Sequence, residues 1–462
     1  MRSSHTPVRT RARFDDPNLV SHAGLVPLVR LMENIGLPAL AGELVRLGGS
    51  AGANAAAKIT TIVAGMAAGA DSISDLDLLR EGGMDRVFTG VRAPSTIGGF
   101  LRWFTPGHVA QLQTLLAEVL VRLTGQTSLL PGLDQLAFLD LDSKITQVHG
   151  RQKQGAAYGY TRVLGLNFLA GTLATELAAP VLTGTRLRGG NADTRRKAAS
   201  FARAQLRTAR ASGAVNNLLV RMDSGFYVGE LISEIARSGT WFSVTVPQRK
   251  PIRAAIAAID ESAWTTITYA RPVRDEDTGE LVTTAQIAET SYTAFTNPTL
   301  NPGQKTTGRL IARRTPIPTL DGQGQLITVH RYHAFLTNSP FDPLTADAQH
   351  RGRAGTIEHV FADLQSGPVA HFPSGDFQAN AAWLSLAALT HNLMRALACL
   401  AGGAEARART TTLRRRLITV AARISRSARR LTLHLPRGWT HEHPWQRVFT
   451  GTHHTHPPPR PA

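Results

Sequence analysis

Cysteine is almost absent: Cys399 is the only one in 462 residues. No disulfide can close within the chain, which suits a reducing compartment, and the apolar neighbours of Cys399 point to a buried, inert thiol. Aromatic residues are also scarce, at 6% beside an apolar content of 42%. That content excludes a disordered polymer and leaves a globular chain with a mainly aliphatic core, long enough for two or three domains. Acids are few: 33 Asp and Glu stand against 51 Lys and Arg, giving a formal charge of +18. Such an excess favours a polyanionic partner, with nucleic acid ahead of an acidic membrane surface. Most of the cations are Arg, whose planar fork suits phosphate and guanine edges. A long unbroken apolar run is missing too. The nearest candidate, "NAAWLSLAALTHNLMRALACLAGG" from Asn380, is interrupted by His391, Asn392 and Arg395, so a buried helix is expected rather than a membrane span. "MRSSHTPVRTRARFDD" lacks the apolar core of a signal peptide, and a cytoplasmic location, with nucleoid association, is expected.

What is present divides into stretches of different pattern. Residues 1–18 are basic, polar and expected to be flexible. Residues 19–130 carry apolar positions at three- and four-residue spacing, as in "PGHVAQLQTLLAEVLVRLTG", and predict a helical domain for DNA binding or assembly. Residues 131–247 read as strand, strand, strand, helix, strand, helix, strand, which is a mixed α/β core. Within it, "GGNADTRRKAASFARAQLRTARASG" reads as a helix capped by Asp193 with a heavily basic outer face. Residues 248–345, rich in Thr, Val, Ile and aromatics between Gly, Pro and Asp clusters, predict a separate β-rich module. Helical patterning returns near Ala354, and 346–400 completes the α/β core. Residues 401–462 hold 12 Arg against 2 Glu, a net of ten of the eighteen excess charges. This region predicts basic helices, with Arg414, Arg415 and Arg416 as phosphate contacts or a solvated face. Its end, with His453, His454 and His456, is expected to be a disordered tail.

Three acids fall where a solvated face does not require one. Asp142 ends the strand of "LDLDSK", Asp223 ends that of "NNLLVRMDSGFY", and Glu358 lies beside the apolar stripe Ile357, Phe361, Leu364 of "RAGTIEHVFADLQ". Alone, Asp-Ser-Gly is ordinary turn chemistry. Together, three carboxylates on rigid elements are what two Mg²⁺ ions need for phosphoryl transfer on DNA, with Mn²⁺ able to substitute. Strand alternation puts Asp140 on the same face as Asp142, so Asp140 competes for the first role.

These motifs in this order, with "VHGRQ" (148–152), "LRGGN" (187–191) and "QANAAWLSLAALTHNLMRAL" (378–397), resemble a bacterial insertion-sequence transposase of the DDE type, nearest the insertion-sequence 1380 group. The resemblance runs from about residue 20 to 450. It implies an RNase H-like core interrupted by a β-rich insertion, with Asp142, Asp223 and Glu358 as the catalytic, metal-binding acids. It also implies hydrolysis at transposon ends, then attack of the freed 3′-hydroxyl on target DNA in a synaptic homodimer. The chain itself shows no sustained heptad. The clan places a tyrosine and an arginine before the glutamate and a lysine seven residues after it. Here His350 or Arg351 stands in the tyrosine region, Arg353 precedes Glu358 by five positions, and Gln365 stands at the lysine position. Lys144 replaces a small hydroxyl or acidic residue. Arg353, His350, Lys144 and Gln152 are accessory DNA-binding candidates; His149 and Gln152 either orient substrate or stabilise a turn. Trp241 and Trp264 either stack on a displaced base or pack internally. Alternative functions are an RNase H-like DNA nuclease and a catalytically inactive DNA-binding derivative.

Overall fold

A computed structural model describes residue 4 and residues 9–150, 152–159, 161–274, 281–320 and 326–453. The expected flexible start, apart from residue 4, lies outside these up to residue 8, as do the tail histidines His454 and His456.

After the short strand β1 (Leu19–Val20), the helical stretch comprises α1 (Leu25–Asn34), α2 (Leu37–Leu44), a single turn α3 (Gly49–Gly52), α4 (Ala55–Ala68), a single turn α5 (Met84–Val87), α6 (Pro94–Arg102) and α7 (Pro106–Gln126). The start of α7 is chemically marked: Pro106 occupies the first turn, and Thr105 and His108 cap each other reciprocally. The strands β2 (Leu136–Gln147), β3 (Ala157–Tyr158), β4 (Leu164–Ala174) and β5 (Val181–Gly189) follow. Next come α8 (Ala198–Ala211), β6 (Asn217–Met222), α9 (Gly229–Arg237) and β7 (Trp241–Thr245), in the order the pattern predicts. Helix α8 begins four residues later than expected. Lys197 at its cap adopts a left-handed backbone, and Asp193 instead accepts the amide of Arg195 in a preceding turn.

The β-rich stretch is not set apart, contrary to its reading as a separate module. After α10 (Lys250–Ala257), β8 (Thr265–Arg274), β9 (Leu281–Ala294), β10 (Thr306–Leu320) and β11 (Leu326–Thr337) join the main sheet, because β11 pairs antiparallel with β7. The result is one mixed sheet of ten strands in the order β3-β4-β2-β6-β7-β11-β10-β9-β8, with β5 also on β4. At the centre, β2 runs parallel to β6 and β6 parallel to β7.

Two helices complete the layers. Helix α11 (Pro343–Gln365) starts eleven residues before the expected Ala354, with Asp342 accepting the amide of Thr345 and Pro343 in the first turn. It packs over β2, β4 and β6. Helix α12 (Phe377–Ala401) is long and apolar enough to cross a membrane, but 89% of its most apolar window is buried within the fold. It lies between β5 and the helices α4 and α7, so its polar residues face protein. Asn392 accepts the amide of Leu182 and donates to its carbonyl, satisfying the outer edge of β5.

The C-terminal region is not simply helical. A turn α13 (Thr410–Leu413) leads to the hairpin β12 (Ala422–Ser427) and β13 (Arg430–His434), and then to α14 (Glu442–His453). Ala422 and Ile424 point inward between exposed Arg423 and Ser425, a two-residue alternation that suits a strand, and β1 adds to this hairpin.

Candidate functional site

The register of β2 against β6 brings two acids together. Leu141 pairs with Met222 in the parallel ladder, so the next residues, Asp142 and Asp223, stand at one level. Asp223 lies just past the end of β6, and Asp142 lies inside β2. That strand runs on to Gln147 rather than ending at Asp142 as expected, because it stays paired with β4. Residues at one level point to one face of a sheet. Burial pushes the Asp142 carboxyl up to about 6; Arg353 opposes the rise and the Asp223 charge adds to it. Burial likewise raises Asp223, against Arg353 and the amides of Gly225 and Phe226. Arg353 Nη1 lies 2.6 Å from Asp142 Oδ2, reaching down from α11. Asp223 Oδ1 accepts the Gly225 amide at 3.0 Å, so its turn-capping role is real and occupies one of its oxygens.

Glu358 is placed differently. Its neighbour Ile357 faces the sheet and is fully buried, which turns Glu358 about 100° away around the helix to the rim. Its side chain is 58% exposed and pairs with Lys144 Nζ at 3.0 Å. Lys144 projects from β2 two residues beyond Asp142 and also lies 5.5 Å from the centre of the Phe361 ring. Among the described residues, no three Asp, Glu, His or Cys side chains stand close enough to share a metal ion. Asp142 and Asp223 are thus brought to one level by the register, while Glu358 does not complete a three-acid group with them and is paired with Lys144 instead.

Asp140 shares the face of Asp142 but is fully engaged. It is buried and bound by both arms of Arg221, at 2.6 and 2.8 Å. The register explains the match, since Asp140 and Arg221 are level partners across β2 and β6. Arg221 also donates to the Gln349 carbonyl at 2.7 Å and covers the Phe138 ring at 4.3 Å. One arginine thus ties together the three elements that carry Asp142, Asp223 and Glu358. Sequence reasoning did not single it out; its signal was a cation inside an apolar strand, two residues before Asp223.

Several accessory expectations are corrected. His350 is not a DNA contact in this arrangement but a core residue: its ring nitrogens meet Ser243 Oγ at 2.6 Å and Thr245 Oγ1 at 2.9 Å. It stacks on Phe335 with ring centres 4.3 Å apart, and burial holds its pKa well below the usual range, leaving it neutral. Trp241 is half-buried with its ring edge-on to Phe341, and Trp264 lies under the Arg314 guanidinium. Arg414 is half-buried beside Asp71 and Asp363, and Arg416 donates to the buried Glu405 at 3.1 Å, so neither faces solvent as a phosphate contact would. Arg415 is exposed, as are His149 and Gln152.

A sequence model described as transposase DDE domain, group 1, matches residues 3–455. The chain belongs to the DDE transposase domain family. No curated protein matches it. In this DDE domain the two carboxylates where β6 ends beside β2 fit a hard divalent cation. Two carboxylates stand at one level, shielded from water, and a cation shared between them would offset the burial, and the added Asp223 charge, that raise Asp142.

Proposed function

We propose that this protein is a DNA transposase, of the insertion-sequence 1380 group, with an RNase H-like core. It cleaves at insertion-sequence ends and transfers the freed strand into target DNA. The observation that carries this reading is the level placement of Asp142 and Asp223 on adjacent strands of a chain matched by the DDE family from residue 3 to 455. Asp142, Asp223 and Glu358 are the proposed catalytic acids. Mg²⁺ or Mn²⁺ bound to them would activate the attacking oxygen and stabilise the leaving one.

The chain's own residues prepare that chemistry. Burial of Asp142 and Asp223 strengthens their pull on any cation that enters. Arg353 balances the pair in its absence. Glu358 pairs with Lys144, and an exposed pair of this kind contributes about 0–1 kcal/mol. Turning the carboxylate toward the aspartates therefore costs little. Arg221, bound to Asp140 and to the Gln349 carbonyl, keeps α11 in register with both strands while Glu358 moves.

The test is cleavage of terminal DNA by purified protein in Mg²⁺ or Mn²⁺. Asp223→Ala is expected to retain DNA binding and lose cleavage; cleavage by that variant overturns the assignment. One observation favours a second reading, a DNA-binding derivative without activity: Glu358 is tied to Lys144 rather than to the aspartate pair. Metal-dependent nicking by the unaltered protein excludes it. Homodimeric synapsis and a cytoplasmic, nucleoid-associated location go with the transposase reading.

A further inference from the structure

Between Arg186 and Arg210 the chain carries eight cationic residues and one acid, Asp193. The fold builds part of this stretch into a rigid positive rim. Arg188 donates to the Asp193 carbonyl at 3.0 Å, and Arg186 donates to the Lys197 carbonyl and to Ser200 Oγ, both at 3.2 Å. These two guanidinium groups hold the 193–197 loop from beneath and neutralise its inward carbonyls. Asp193, the only acid, is engaged by the Arg195 side chain. Arg196, Lys197 and, one helical face further on, Arg207 remain exposed.

The rim packs against the turn that follows Asp223. Any side chain on Gly225 would come within 3.3 Å of Thr194 Cγ2 and 3.1 Å of Asp223 Oδ1, so the turn after Asp223 packs against this loop. On the other side, the loop opens into a groove of about 750 Å³ between α7 and α8 along β5. Arg186, Lys197 and Arg207 line it, and Glu118 is the one carboxylate among its lining residues. A cleft lined by one sign of charge concentrates its field and draws in the opposite sign.

We infer that the 194–197 loop and the α7–α8 groove form the track for the DNA backbone leading to Asp142 and Asp223. The inference rests on the DNA reading above and places the phosphates that flank the reacting one. Arg196, Lys197 and Arg207 contact phosphates without reading sequence.

The test is a salt titration of binding to a fluorescently labelled duplex of arbitrary sequence, without divalent metal. The variant carries Arg196→Ala, Lys197→Asn and Arg207→Ala; Asn is chosen because Lys197 holds a left-handed backbone with φ of 62°. Three lost contacts are expected to reduce the slope of log affinity against log salt by about 2–3 units, with a loss of affinity of tenfold or more at moderate salt. Arg196→Ala alone, the milder variant, is expected to reduce the slope by about one unit. A thermal melt matching the parent establishes that the fold is intact. If the parent binds DNA and both variants match its affinity and slope, the track is wrong while the DNA reading stands. If the parent binds no DNA, the functional reading fails, and the track with it.

Discussion

Two stretches hold most of the excess positive charge, and each divides it differently between bracing the fold and facing solvent. In residues 401–462 three arginines turn inward, while Arg407, Arg415, Arg423, Arg426, Arg429, Arg430, Arg437 and Arg447 are exposed. Arg409 pairs with the buried Asp363, Arg416 with the buried Glu405, and Arg414 lies beside Asp363 and Asp71. Arg395 of α12 belongs to the same cluster and donates to the Ala408 carbonyl at 2.5 Å. Through Asp363, Arg409 and Arg414 fasten the start of the C-terminal region onto α11, the helix that carries Glu358. Around residues 186–207, two arginines brace a loop from below while Arg196, Lys197 and Arg207 face solvent. Composition alone makes the C-terminal stretch the better DNA-binding candidate. Partner geometry removes Arg409, Arg414 and Arg416 from that candidacy, because an arginine already desolvated against a carboxylate has little to offer a phosphate.

The acids of β2 repeat the contrast at the scale of two residues. Asp140 is closed off by a two-armed arginine, whereas Asp142 shares a single guanidinium contact and sits beside another carboxylate.

The contrast can be broken most forcefully at Asp363. Asp363→Ala leaves Arg409 and Arg414 without their buried partner and is expected to lower stability by about 3–5 kcal/mol. Chemical denaturation measures it; an unchanged midpoint would mean the cluster holds nothing together. Asp142→Asn is expected to act in the other direction. The folded pKa of about 6 lies above the ordinary 3.8. Between those values the native state keeps a proton that the unfolded chain has lost, so stability falls as pH rises through that window. Above it the full penalty is present, roughly 2–3 kcal/mol. Thermal melts in chelator should therefore show the Asn variant more stable than the parent at neutral pH, and equal to it near pH 3. Arg416→Ala is a smaller step. Loss of its bond to Glu405 is expected to cost about 1.5–3 kcal/mol, with the salt slope of DNA binding unchanged. A reduced slope would return that arginine to the DNA interface. Arg415→Ala is the smallest, within about 0.5 kcal/mol in stability, because its side chain is exposed. It separates the two regions most sharply: a slope reduced by about one unit would give the C-terminal stretch a share in phosphate binding after all.

Much of the central architecture was legible in the residues. The strand order from β2 to β7, and the acid at the tip of β6, follow from apolar runs ended by turn chemistry. The early start of α11 was also written in "FDPLT", where Asp342 and Pro343 form a cap signal. The attachment of β11 to β7 was not legible, since a β-rich stretch pairs equally well within itself. Nor was the fate of His350, because its hydroxyl partners Ser243 and Thr245 lie more than a hundred positions earlier.

By itself the sequence determined which segments alternate with period two or wind with period three to four, and that Asp142, Asp223 and Glu358 fall on such segments. Local sterics and side-chain burial act between near neighbours, so those facts are readable along the chain. Only the tertiary structure decided which charge meets which. Asp140 and Asp142 are indistinguishable by alternation, and the difference between them is Arg221, some eighty residues away. Glu358 and Lys144 are paired across a separation of 214. Electrostatic and hydrogen-bond energies depend on distance in space, and that distance exists only once the strands have set their register.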